Sequence, residues 1–308
     1  MRIFKNTENQ IRSGWKILIV FISFFAATIF ASIMFSALCG IIIVILKPEL
    51  LARDDKGTKY IAEQFSGMNH FPGAFLSLLQ CLIMIFFVIL FWKIWEKRKV
   101  SDMGFTNIKS SWRDLGIGLL CGAISFTIVA IILLCTRSVE LVNSFNKPIF
   151  SMSLIIQLIL FIFVGINEEL FARGYCMTVL KQTKNAYVPV IVSSIIFALM
   201  HSMNQGISLI AYINLFLFGI SMGYIFIKTK NIWIGIGYHI TWNYFQGDIF
   251  GFLVSGNTTD SIYTIKTVNP NIINGGSFGP EGGLVVTVLL LVTILIIYKF
   301  LPDRRHII

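Results

Sequence analysis

Eight stretches of the chain run with almost no charge, at roughly 17–46, 71–92, 115–136, 149–167, 187–203, 206–227, 231–247 and 284–298. Crossing the hydrocarbon core of a bilayer as a helix takes about twenty apolar residues. In lipid every backbone polar group must be satisfied within the protein, which leaves helices or a closed barrel, and continuous apolar runs fit the helix. The pattern predicts an all-α polytopic membrane bundle of about eight transmembrane helices. Composition agrees: 56% of residues are hydrophobic, 13% are charged and the mean hydropathy is +0.79, far from the balance of a soluble domain. The first run, about thirty residues, is longer than a signal-peptide core and reads as retained.

The formal net charge of +10 does not call for a nucleic-acid partner. Its Lys and Arg residues are spread over short segments between apolar runs, the expected trace of topology. With both termini cytoplasmic, inside segments collect eighteen of the twenty-five basic residues, Arg173 among them, and outside segments collect seven. A composition rich in Ile, Lys, Asn and Phe suggests an AT-rich bacterial genome, hence a bacterial plasma membrane. Cys39, Cys81, Cys121, Cys135 and Cys176 lie apart, with no C-x-x-C, and read as small buried hydrophobes. Two outer segments are long: 47–70, of mixed charge, and 248–283, rich in Gly, Asn, Ser and Thr, which reads as a flexible connector in preference to a dedicated lid. No repeat and no long linker divides the chain. The expected divisions are residues 1–110 (two spans and a cytoplasmic loop), 111–247 (a membrane core) and 248–308 (outer loop and last span).

Asn167-Glu168-Glu169-Leu170-Phe171-Ala172-Arg173-Gly174 puts two carboxylates and a guanidinium into the fourth span. Ionisable groups at membrane depth are costly and mark functional sites. Glu169 and Arg173 are spaced i,i+4 for an ion pair. Glu168 lies about 100° around the helix and is left to face a cavity, as a candidate general base. A structural ion cluster is the bland alternative.

The next span ends in Phe197-Ala198-Leu199-Met200-His201 with Asn204 beyond. Glu168 lies sixteen residues before the turn near Lys184 and His201 seventeen after it, so both reach one level of an antiparallel hairpin, about 24 Å from the cytoplasmic turn. In the seventh span His239 and Asn243 are i,i+4 and can aim two donors at a developing oxyanion; an Asn there could equally be helix–helix glue. Gly219, Gly223, Gly235 and Gly237 read as sites of close helix packing. His70, at a loop end, and His306, in the basic tail, carry no functional signal.

E-E-x-x-x-R-G, then F-x-x-x-H-x-x-N, then H-x-x-x-N, in this order on successive apolar helices, resembles the CAAX protease and bacteriocin-processing (CPBP, or Abi) family of intramembrane endopeptidases. The likeness covers Glu168 to Asn243. It implies a catalytic core formed by the fourth to seventh spans and cleavage of a peptide bond in a membrane-associated protein or peptide. Glu168 would activate water, with His201 orienting or polarising it; His239 and Asn243 would stabilise the oxyanion; Glu169, Arg173 and Asn204 would support the site. No cofactor is needed in that scheme. The family has also been described as metal-dependent, and a zinc variant would draw ligands from His201, His239 and Glu168, although no H-E-x-x-H is present. Two other classes compete: a non-catalytic immunity or scaffold protein, and a proton-coupled transporter, which would show broken helices and an internal repeat.

Overall fold

The computed structural model describes residues 3–48, 55–65 and 68–302. Arg2, Arg53, Arg304, Arg305 and His306 lie outside them. Each expected span is a helix. They are α1 (Ser13–Leu46), α3 (Phe71–Phe91), α4 (Ile108–Cys135), α5 (Ser153–Glu169), continuing through a π-helical stretch Leu170–Cys176 into α6 (Met177–Leu180), then α7 (Val188–Met200), α8 (Leu209–Thr229), α9 (Trp233–Tyr244) and α10 (Leu284–Phe300). The mixed-charge outer segment also contains a helix, α2 (Asp55–Phe65). A two-stranded antiparallel ribbon, β1 (Val139–Leu141) with β2 (Ile265–Thr267), ties the α4–α5 connection to the loop before α10. The chain is an all-α polytopic membrane bundle.

Five helical stretches are long and apolar enough to cross a membrane by themselves: Ser13–Leu46, Phe71–Glu96, Val100–Cys135, Ser153–Thr183 and Leu209–Thr229. Helix α7, at 13 residues, reaches only about 20 Å. It ends at Met200, and His201 is its C-terminal cap. The expectation that His201 lies within a span is corrected accordingly: the side chain leaves the helix at its last turn.

Helix α9 is the axle. Its residues from Trp233 to Ile240, with Trp242 and Asn243, are all buried, as expected of a helix covered on every side. Small residues bring its neighbours close. A Cβ added at Gly118 would lie 2.2 Å from the Ile234 carbonyl oxygen, and one at Gly122 2.3 Å from that of Tyr238. One at Gly237 would meet the Leu115 carbonyl oxygen at 2.4 Å. Helices α4 and α9 thus touch backbone to backbone, the small-residue packing that membrane bundles favour. Gly219 does the same for α8 against Ser194 of α7.

The bundle has two distinct ends. At one, Ser13 donates to the Val179 carbonyl, Lys16 pairs with Glu96, and Lys228 donates to the Ile297, Tyr298 and Leu301 carbonyls. Three of the helical runs ending there close on a lysine in the left-handed conformation: Lys97, Lys184 and Lys230. A cation suits a helix C-terminus, where carbonyls and the dipole are unsatisfied. At the other end Met68 bonds to Thr258, Asn204 to Ser255, and Val142 and Ile149 to Thr264 and Ile262. The 248–283 loop is not a loose connector. Phe252, Val254, Phe278 and Glu281 are buried, so the loop packs onto this second end.

Candidate active site

The π-helical stretch opens immediately after Glu169, a distortion that sequence spacing does not reveal and that often accompanies functional sites. Within it, Arg173 Nη1 lies 3.0 Å from Glu169 Oε1, both side chains 1% exposed. Two rings cover the guanidinium, Phe197 at 4.5 Å and Phe218 at 5.5 Å. These cation–π contacts help offset the removal of that charge from water. Gly235 faces the pair: a Cβ there would stand 2.7 Å from Glu169 Oε2. This glycine makes room for a carboxylate as well as for a helix.

Glu168 points elsewhere, as its place on the helix requires. Its Oε2 is buried without a hydrogen-bond partner and lies 3.7 Å from His239 Nε2 and 3.9 Å from His201 Nε2. Three elements, α5, the cap of α7 and α9, deliver these groups to one point. The His201 ring is fixed from behind, with Nδ1 2.9 Å from the Phe197 carbonyl oxygen. A carbonyl only accepts, so Nδ1 carries a proton, and Nε2 is the ring nitrogen turned to Glu168. The His239 ring spans both carboxylates, its Nδ1 lying 3.6 Å from Glu169 Oε1, and packs edge-on against Phe218 at 5.4 Å.

Glu168, His201, His239, Asn243 and Asn204 line one cavity of about 620 Å³. Its far wall is apolar, supplied by Phe21, Phe24 and Phe25 of α1. A smaller pocket behind the histidines is bounded by Leu215, Trp242, Val286 and Leu290, and His201, His239 and Ser255 line both spaces. Asn204 is not aimed at Glu168; its Nδ2 donates to the Ser255 carbonyl at 3.1 Å. Ser255, at φ 46°, is also held by Glu281, which accepts from its N–H at 2.9 Å, its hydroxyl at 2.6 Å and the Trp242 indole at 3.1 Å. Phe218, Ser255 and Glu281 escaped the sequence reading. A phenylalanine in an apolar helix and a polar pair in a loop carry no local signal.

Among the described residues no group of three or more His, Cys, Asp or Glu side chains is arranged to hold a metal ion.

Residues 150–245 match the family of type II CAAX prenyl endopeptidases described as Rce1-like. Over that stretch, 96 of the 308 residues, the chain is similar to that family. The match begins just before α5 and ends at the last turn of α9, enclosing every residue that meets at Glu168. No curated protein matches the chain.

Proposed function

We propose that this protein is a glutamate-dependent intramembrane endopeptidase whose machinery is Glu168, His201, His239 and Asn243, working in a core of residues 111–247 in a bacterial plasma membrane. The observation that carries this reading is the buried Glu168 Oε2 facing both imidazole Nε2 atoms at 3.7 and 3.9 Å. Separations of that size exceed a direct hydrogen bond and suit a water bonded to all three groups. Glu168 accepts a proton from that water as its oxygen attacks the peptide carbonyl carbon. His201, through Nε2, holds that water and sets its orientation. The carbonyl oxygen becomes an oxyanion, towards which Asn243 and His239, one helical turn apart on α9, donate. Collapse of the tetrahedral species expels the amine, which takes the proton from Glu168. The Glu169–Arg173 pair holds His239 from its far side.

Purified protein in detergent should cleave members of a quenched peptide library that includes farnesylated C-a-a-X peptides. Glu168→Gln should lower the rate by about 10²–10⁴-fold, the range of a general base, while its thermal unfolding stays near wild type. Hydrolysis that survives Glu168→Gln would overturn the assignment. Loss on chelation with recovery on zinc addition would move the chemistry to a metal. A Glu168→Gln variant with full biological function would favour the immunity or scaffold reading.

A further inference from the structure

The contacts that separate the two ends of the bundle also show which end the site opens to. Beneath Glu169 and Arg173 the interior is filled: Leu170, Phe171, Tyr175, Cys176 and Met177 are each at most 1% exposed, and Trp92 packs on Tyr175. These packed side chains separate the catalytic groups from the end that carries Lys97, Lys184 and Lys230. In the other direction the 620 Å³ cavity reaches Met68, Met203, Asn204, Ser255 and Asn257, all from connections at the opposite end. Met203 is 84% exposed at this mouth.

Charge then tells the two ends apart. Arg173, counted from sequence among the basic residues of one side, sits in the core and drops out of the tally. Of the remaining twenty Lys and Arg among the described residues, fourteen fall in segments at the closed end and six at the open end. Basic residues in short segments flanking the spans mark the cytoplasmic side. We infer that the cavity opens away from the cytoplasm, and that the substrate is an extracytoplasmic peptide segment: the exported part of a secreted or membrane-inserted chain lying at the outer surface. The substrate half of this statement rests on the endopeptidase reading; the direction of opening does not. It also accounts for the depth of the site: Glu168 and His201 lie about 24 Å from the cytoplasmic turn because their mouth is on the far side. A prenylated tail on a cytosolic protein would meet the closed end.

The test is accessibility in intact cells. In a full-length chain with its five native cysteines replaced, Met203→Cys and Gln205→Cys should react fully with a membrane-impermeant maleimide, whereas Lys184→Cys should react only after permeabilisation. The reverse pattern overturns the inference. Should the cysteine-free chain fail to fold, an epitope inserted between Asn146 and Lys147 of the otherwise native chain gives the same answer: antibody binding to intact spheroplasts supports the inference, and binding only after lysis overturns it. A quenched peptide supplied outside intact cells completes the experiment. Its cleavage, lost in Glu168→Gln, supports both readings. Outside labelling without cleavage of any peptide upholds the direction and counts against the endopeptidase. Cleavage only after permeabilisation, with inside labelling, overturns the direction and leaves the endopeptidase standing.

Discussion

Arg173 is a charge sealed in protein, 1% exposed, with one carboxylate at 3.0 Å and two phenylalanine rings over its plane. Removing it strands Glu169 as a buried unpaired anion. Arg173→Met should therefore cost about 3–5 kcal/mol, the usual penalty for breaking a buried pair, seen as a lower unfolding midpoint in detergent. Adding Glu169→Gln to that variant should recover part of the loss, and a double variant no more stable than Arg173→Met would refute the pairing. Lysine is a poor substitute, because it lacks the flat guanidinium that two rings can cover. At this scale much was legible. The i,i+4 spacing announced the Glu169–Arg173 pair, and helical geometry turned Glu168 away from it. Phe218 was not legible: one phenylalanine among 28 in the chain says nothing until the fold brings it to the guanidinium.

Helices were readable because lipid forces apolar runs to be helical, but how closely they approach depends on single glycines. The Cβ of Gly237→Ala would fall 2.4 Å from the Leu115 carbonyl and 2.7 Å from the Leu119 nitrogen. Since backbone cannot yield as a side-chain tip does, α4 and α9 must move apart, taking His239 with them. Overpacking of this kind costs about 1–3 kcal/mol, and hydrolysis should fall with the unfolding midpoint. Gly40→Ala on α1, where nothing lies within 4 Å, should change neither and serves as the control. The 248–283 loop was misread because composition reports turns and not partners. Glu281 holds Ser255 and Trp242 through three donors, a bond set between residues far apart in sequence. Glu281→Ala leaves those donors unpaired at about 1–3 kcal/mol for the buried groups, and should raise KM more than it lowers kcat by loosening the Ser255 strap that borders both cavities.

The whole molecule carries most of its basic residues at one end and packs loops around the cavity mouth at the other, and one acid in those loops gives that arrangement a pH dependence. Asp248 follows the seventh span and is fully buried, with the Thr259 hydroxyl beside its carboxylate. Burial, reinforced by the nearby Asp260 carboxylate, pushes its pKa up to about 8, against about 3.9 in an unfolded chain. Between those values the folded protein holds a proton that the unfolded chain has released. Linkage then makes stability fall as pH rises through the window from about 4 to 8, with no further change from this group above it. The unfolding midpoint in detergent should drop from pH 5 to pH 8. Asp248→Asn, which keeps the shape and cannot ionise, should flatten that slope and outlast the wild type at pH 8 and above. Parallel curves for the two proteins would show that Asp248 does not hold its proton. Because this loop also carries Ser255 to the site, weakening it at high pH should reduce hydrolysis in the wild type before global unfolding does, and Asp248→Asn should keep its activity over the same range.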